Sequence, residues 1–244
     1  MYSVLVCSAF ALFFGLLGVV LDWWHWAWAI PIALVLFVAS WILLARSLGK
    51  RVGPMWSQAQ KQMQAGLIEP AMQSLEGMLA ISKWIPLLRG QVLAQMGFLA
   101  HQTGDEDRAL ALLEGASVRA PDARLLLACI VWKRGDQKRA LEILQFAAAV
   151  NKKHALLHNT YAWMLHKIER ADDAQAVLAN FLKKDATSAP TKDNLLRLQN
   201  RTRMTMQGFD MQWYALGLER PPQAMGQMRR APKGFREPPK RRGG

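Results

Sequence analysis

His154 and His158 stand four residues apart in a stretch of helical character, so both could face one side of a helix and offer imidazoles to a metal ion. No carboxylate or cysteine at ligand spacing joins them, and ordinary surface or packing histidines are the expected outcome. The two cysteines, Cys7 and Cys129, both lie in apolar runs. They rule out a disulfide framework as an organising principle and fit a reducing compartment. A phosphate-binding glycine loop, a Gly-x-Ser-x-Gly elbow, a His-Glu-x-x-His pair and paired acids at catalytic spacing are all missing from the sequence. Neither catalysis, nor a cofactor, nor a bound metal is therefore expected. What remains chemically conspicuous is binding chemistry: ten tryptophans, and 31 Lys and Arg against 18 Asp and Glu, for a formal charge of +13.

The first elements are apolar. Residues 2–21 carry no charge and residues 27–45 carry none until Arg46. Each stretch is about as long as a helix needs to cross a hydrocarbon layer of about 30 Å. A transmembrane helical hairpin over residues 1–46 follows, with spans at about 2–21 and 27–45. No Lys or Arg precedes Arg46, and no small-x-small site ends the first stretch, so a retained anchor is expected rather than a cleaved signal. Arg46, Lys50 and Arg51 follow the second span directly, while the loop between the spans holds Asp22 and His25 but no basic residue. Basic residues favour the cytoplasmic side. Both termini are accordingly expected in the cytoplasm, with the protein in a membrane of bacterial inner-membrane type. Trp23, Trp24, Trp26 and Trp28 suit the membrane interface, where an indole can bury its rings and keep its N–H wet.

Beyond Arg46 the chain repeats itself. A turn, then an alanine five residues on, then leucines recur at Gly66 to Leu75, Gly104 to Leu113, Gly135 to Leu144 and Glu169 to Leu178. The alanines Ala71, Ala109, Ala140 and Ala174 are 38, 31 and 34 residues apart. Small residues twelve positions before each alanine (Ala59, Gly97, Ala128 and Ala162) would let two helices of one unit approach closely, with larger side chains filling between units.

This pattern resembles the tetratricopeptide repeat family, whose unit is about 34 residues. The resemblance covers roughly residues 52–206 and is best in the unit containing Gly97, Ala109, Leu113, Ala116 and Pro121. Leu93 and Arg124 replace a large aromatic of the family pattern. The fold class expected is all-α: the hairpin, then an α-solenoid of about four helix–turn–helix units over 52–207 ending in a capping helix near Thr191 to Gln207. An apolar segment at 208–217 would fold back on that helix, and a disordered basic tail would occupy 218–244. Two spans followed by cytoplasmic repeats are also similar in layout to the two-span repeat component of bacterial Pel-type exopolysaccharide secretion.

The resemblance implies a partner-binding groove lined by the first helix of each unit. Carried onto this sequence, it selects Phe98, His101 and Gln102, then Trp132 and Lys133, then Asn159, Trp163, His166 and Lys167. Such an aromatic stripe with flanking lysines would take a protein helix or extended peptide, and the lysines would attract an acidic group. The Lys/Asn/Arg carboxylate clamp of chaperone-binding relatives is not reproduced.

In the tail, Arg229, Arg230, Lys233, Arg236, Lys240, Arg241 and Arg242 are interspersed with prolines and little that is apolar. Beside an anionic leaflet each would gain about 1 kcal/mol close to the surface. Nucleic acid is disfavoured because no aromatic stacking platform accompanies the charge. The expected function is a membrane-anchored scaffold or adaptor that recruits protein partners, possible settings being an envelope or secretion complex. The alternative is a surface tether acting through the tail on anionic lipid or nucleic acid. No small-molecule substrate is expected.

Overall fold

The computed structural model describes residues 2–20, 26–85 and 87–220. The expectations for Trp23, Trp24 and the rest of the inter-span loop, and for the tail from residue 221 with all seven of its named basic residues, lie outside the described residues. Among the described residues every regular element is helical. In chain order these are α1 (Tyr2–Val20), α2 (Trp26–Gln64), α3 (Ile68–Ser82), α4 (Leu88–Gln102), α5 (Glu106–Glu114), α6 (Pro121–Lys133), α7 (Gln137–Val150), α8 (Ala155–Lys167), α9 (Ala171–Leu182) and α10 (Ala189–Gln199). A single 3-10 turn at Gln207–Phe209 then leads into the short α11 (Asp210–Ala215).

The residues fall into two compact units. The first runs to Ile130 and includes Glu142–Asn151; the second comprises Val131–Leu141 and the chain from Lys152 onward. In the first unit α1 packs on α2, α2 on α3, α3 on α4 and α4 on α5. The expected boundary between anchor and repeats, residues 46–52, falls inside α2, which is one helix of 39 residues containing Pro31 and Pro54. Its C-terminal half serves as the first helix of the first repeat: Ala59 and Ala71 are both buried, and Ser74 Oγ donates to Gln62 Oε1 at 2.8 Å. Ile30–Gln64 is the one stretch, among the described residues, long and apolar enough to cross a membrane; α1 contributes a shorter apolar run, Leu5–Phe14.

The repeat signature translates directly into packing. Ala71, Ala109, Ala140 and Ala174 are fully buried, and so are the leucines that follow them, Leu75, Leu113, Leu144 and Leu178. A fully buried leucine contributes about 1.5–3 kcal/mol of hydrophobic stabilisation. At Gly97 any Cβ would stand 2.7 Å from Leu113, so α4 and α5 touch closely because this position has no side chain. Arg124, in the place of the family's aromatic, instead ties down the preceding turn by donating to the carbonyls of Ala116 and Glu114. Desolvation lowers its pKa from the usual arginine value, with Glu114 opposing the shift.

In the second unit α8, α9 and α10 enclose a core of Ala162, Leu165, Ala174, Leu178 and Leu198. The capping helix is shorter than expected. It ends at Gln199, not near Gln207, because Arg201 adopts φ +54° and Thr202 N–H turns back to the Arg197 carbonyl. Arg203 to Met206 then run as an irregular segment rather than a helix.

Candidate functional site

The site is built on α8. Residues 159, 163 and 167 are spaced four apart, so their side chains leave the same face of that helix. His154 caps its start, its Nδ1 accepting from Leu157 N–H at 3.2 Å. His158 is buried, with its ring 4.8 Å from that of Phe181. The two histidines thus have separate contacts, one a helix cap and one a packed ring.

Trp163 is the centre of the face. Its ring lies 6.3 Å from that of Trp132, at the end of α6, and 5.2 Å from that of Trp213 on α11, edge to face. The Lys167 ammonium sits 5.0 Å from the Trp163 ring centroid, a cation–π arrangement. Trp213 has no exposed surface at all, and its indole N–H donates to Glu219 Oε2 at 3.0 Å. Burying an indole requires such a partner, since an unpaired N–H would carry a desolvation penalty of about 1–3 kcal/mol. The turn after α11 passes under Lys133: a Cβ at Gly217 would meet the Lys133 Nζ at 2.7 Å.

Of the residues singled out in the sequence, the structure brings Trp132, Trp163 and Lys167 together, with Lys133 at the edge of the same cluster. His166 is half-buried one residue away on α8. Phe98, His101 and Gln102 lie on α4 in the first unit. Asn159 has a different role: it is fully buried and bonded to α10, so it presents nothing to a ligand. At the expected membrane interface, Trp26 begins α2 and Trp28 is exposed.

Trp213, Gly217 and Glu219 are the members that sequence reasoning did not place here. The apolar character of 208–217 signalled a fold-back. Its first part does meet α10, with Gly208 against Pro190, but the path then continues to the tryptophan face of α8.

No protein-family description matches the sequence, and no curated protein does. Among solved structures the chain is similar to a tetratricopeptide repeat protein from Parabacteroides merdae, with 14% identity, coverage of 70% of this chain and 69% of that one, and a TM-score of 0.51. It is also similar to MamA, at 15% identity, 70% and 85% coverage and a TM-score of 0.46. A thermophilic tetratricopeptide repeat protein of Thermus thermophilus gives 18% identity, 79% and 99% coverage and a TM-score of 0.46. At such identities the first likeness speaks to fold alone. Together with the buried alanines and leucines at repeat spacing, it leads to one conclusion: the helical repeats of this chain have the tetratricopeptide-type fold.

Proposed function

We propose that this chain is a membrane-anchored scaffold whose tryptophan face on α8 binds a short segment of a partner protein at the cytoplasmic side of a bacterial inner membrane, within an envelope or secretion complex. The observation that carries the reading is that the face already holds a helical turn of the chain itself, with an indole as its anchor. A surface that can enclose one amphipathic turn has the aromatic lining and the cationic edge that peptide recognition uses. Binding, rather than catalysis, is the work such a face can do.

The anchoring half of the proposal is supported by which side chains face outward. On α1 the small residues Cys7 and Ala11 are buried, while Leu5, Val6, Phe10, Leu12, Phe13 and Leu16 are exposed. On α2 the side chains of Ile30, Leu34, Val35 and Leu43 are likewise exposed, between 63% and 77%. Large apolar side chains outward and small ones inward is the arrangement of helices that pack in lipid. This arrangement, together with Arg46, Lys50 and Arg51, supports our reading of a two-span topology with both termini in the cytoplasm.

Proximity labelling from a tag on the full-length chain tests the partner-binding reading. The wild-type chain should label a defined set of neighbours, and the Trp132→Ala/Lys167→Glu chain should lose them while remaining in the membrane fraction. Recovery of the same neighbours by the variant overturns the reading. A chain truncated after Arg220 separates the second possibility, a tether that works through the basic tail: if that truncation alone abolishes labelling, the tail is the binding element.

A further inference from the structure

We infer that residues Gln207–Arg220 are a displaceable resident ligand of the tryptophan face, and that the face recognises a short helical segment carrying an indole followed six residues later by a carboxylate. The inference rests on the partner-binding reading of that face and specifies its ligand.

Three features distinguish this strap from an ordinary terminal helix. First, its N-terminal end is held firmly. Met206 is buried, and Thr205 N–H donates to Asn194 Oδ1 at 2.9 Å, so the chain is fixed to α10 just before the strap begins. Second, α11 has six residues, too few to be stable as an isolated helix. It buries Trp213, with Leu216 just beyond its end, and leaves Met211 and Gln212 in solvent. Its seat therefore rests chiefly on one indole, with Leu216 beside it. Third, the backbone has left-handed φ at the first residue of α11 and two residues past its end: Asp210 has φ +46° and Gly217 has φ +66°. At Asp210 a side-chain-bearing residue is strained, and release of the strap would relieve it. Gly217 permits the second bend without strain, and allows the turn to pass beneath Lys133.

The polar contacts of the docked strap define what an incoming ligand must offer. The indole fills the edge-to-face position on Trp163. The Glu219 carboxylate satisfies the indole N–H, and it comes from the strap itself. A competing peptide must therefore bring both groups, or leave its indole N–H buried without an acceptor. Lys133 and Lys167 beside the site favour such an acidic segment over a basic one. Because the strap is tethered, its local concentration is on the order of millimolar, and a free peptide competes poorly until the strap is loosened.

The test uses a fluorescent peptide of residues Gln207–Arg220 and the full-length chain in detergent, as wild type, Trp213→Ala and Gly217→Val. A β-branched residue at φ +66° opposes closure of the strap, both through its backbone and by meeting Lys133 Nζ, and leaves the lining of the open face as it is. Both variants should bind the peptide at least about tenfold more tightly than wild type, since the apparent affinity scales with the fraction of open sites. The same peptide with Trp213 replaced by Ala should not bind. If Trp213→Ala lowers the melting temperature so far that the chain is not folded, Gly217→Val decides. Equal affinity in wild type and the folded variants, or no binding to any of them, overturns the inference. A wild-type chain that doubles its mass with concentration, and returns to a single copy as Trp213→Ala, also overturns it by assigning the strap to a second molecule. Because the probe is the chain's own segment, it can fail while labelling of cellular neighbours still depends on Trp132 and Lys167, and the reverse also holds.

Discussion

Asn159 organises the far end of the second unit through one side chain. Its Nδ2 donates to the Ala155 carbonyl at 2.9 Å and to Thr191 Oγ1 at 2.7 Å, while its Oδ1 accepts from Asn194 Nδ2 at 3.0 Å. Asn194 passes the connection on by accepting from Thr205 N–H. All three side chains, Asn159, Thr191 and Asn194, are fully buried, so the bonds among them are made away from water. Replacing Asn159 by leucine keeps the number of side-chain heavy atoms but takes the acceptor from Asn194 Nδ2 and one of two partners from the Thr191 hydroxyl, which retains Ser188. Asn159→Leu should therefore destabilise the chain by about 2–3 kcal/mol, read as a lower urea midpoint of tryptophan fluorescence. An unchanged midpoint would mean the network contributes nothing net. The sequence resemblance set Asn159 in the groove because its place in the repeat faces that way in the family. Its partners lie 32 and 35 residues further on, in a capping helix that no repeat pattern describes, so its burial could not be read locally. Trp213 is expected on the final helix with the rest of 208–217, and its seat on Trp163 could not be read for the same reason. Trp132, Trp163 and Lys167 were legible because they belong to repeated positions, whereas the indole that covers Trp163 lies beyond the last repeat.

At the level of elements, the four repeat turns share one hydrogen-bond pattern. The residues at 66, 104, 135 and 169 have φ of +72°, +84°, +90° and +65°. In each, that residue's N–H returns to the carbonyl three back, at Met63, His101, Trp132 and His166. The next N–H returns five back, at Gln62, Ala100, Val131 and Leu165. This is the left-handed helix ending that glycine favours. Three of the turns have glycine and the fourth has Glu169, whose Cβ makes the same backbone costly by roughly 1–2 kcal/mol before the extra freedom of an unfolded glycine is counted. Glu169→Gly should raise stability by about 1 kcal/mol, seen as a higher melting temperature with the fold unchanged. A fall would show that the Glu169 side chain contributes more than its backbone costs. The shared turn also explains why unequal spacings of 38, 31 and 34 residues still marked real repeats: the turn and the alanine five residues later keep register, while the helices and the connections between repeats change length. The junction at residues 46–52 was less legible. A boundary between the anchor and the repeats is expected there, yet α2 continues through it and through Gly49, Gly53 and Pro54. A glycine costs a helix about 1 kcal/mol and proline about 3, and packing of Ala59 against α3 on the far side outweighs that local preference.

On the scale of the whole molecule, two kinds of attraction could hold the chain to a membrane, and their magnitudes separate them. The second apolar stretch, residues 27–45, contains ten Leu, Ile, Val and Phe residues. At about −0.3 to −0.6 kcal/mol each near a bilayer centre, they favour insertion by about 3–6 kcal/mol before the tryptophans and the first stretch are counted. The basic tail offers about 1 kcal/mol per residue close to an anionic surface, a comparable sum, but one that salt screens and insertion does not share. Washing membranes with high salt and then alkaline carbonate should therefore leave the full chain in the pellet. The chain truncated after Arg220 should stay there too, and removal of residues 1–45 should release the remainder. Release of the intact chain by carbonate would instead make the tail the true attachment and α1 and α2 an ordinary apolar interface awaiting a protein. Orientation is decided in the same preparation: with Arg46, Lys50 and Arg51 held on the cytoplasmic side, protease added to that face should digest the repeats, and protease added to the opposite face should leave them whole.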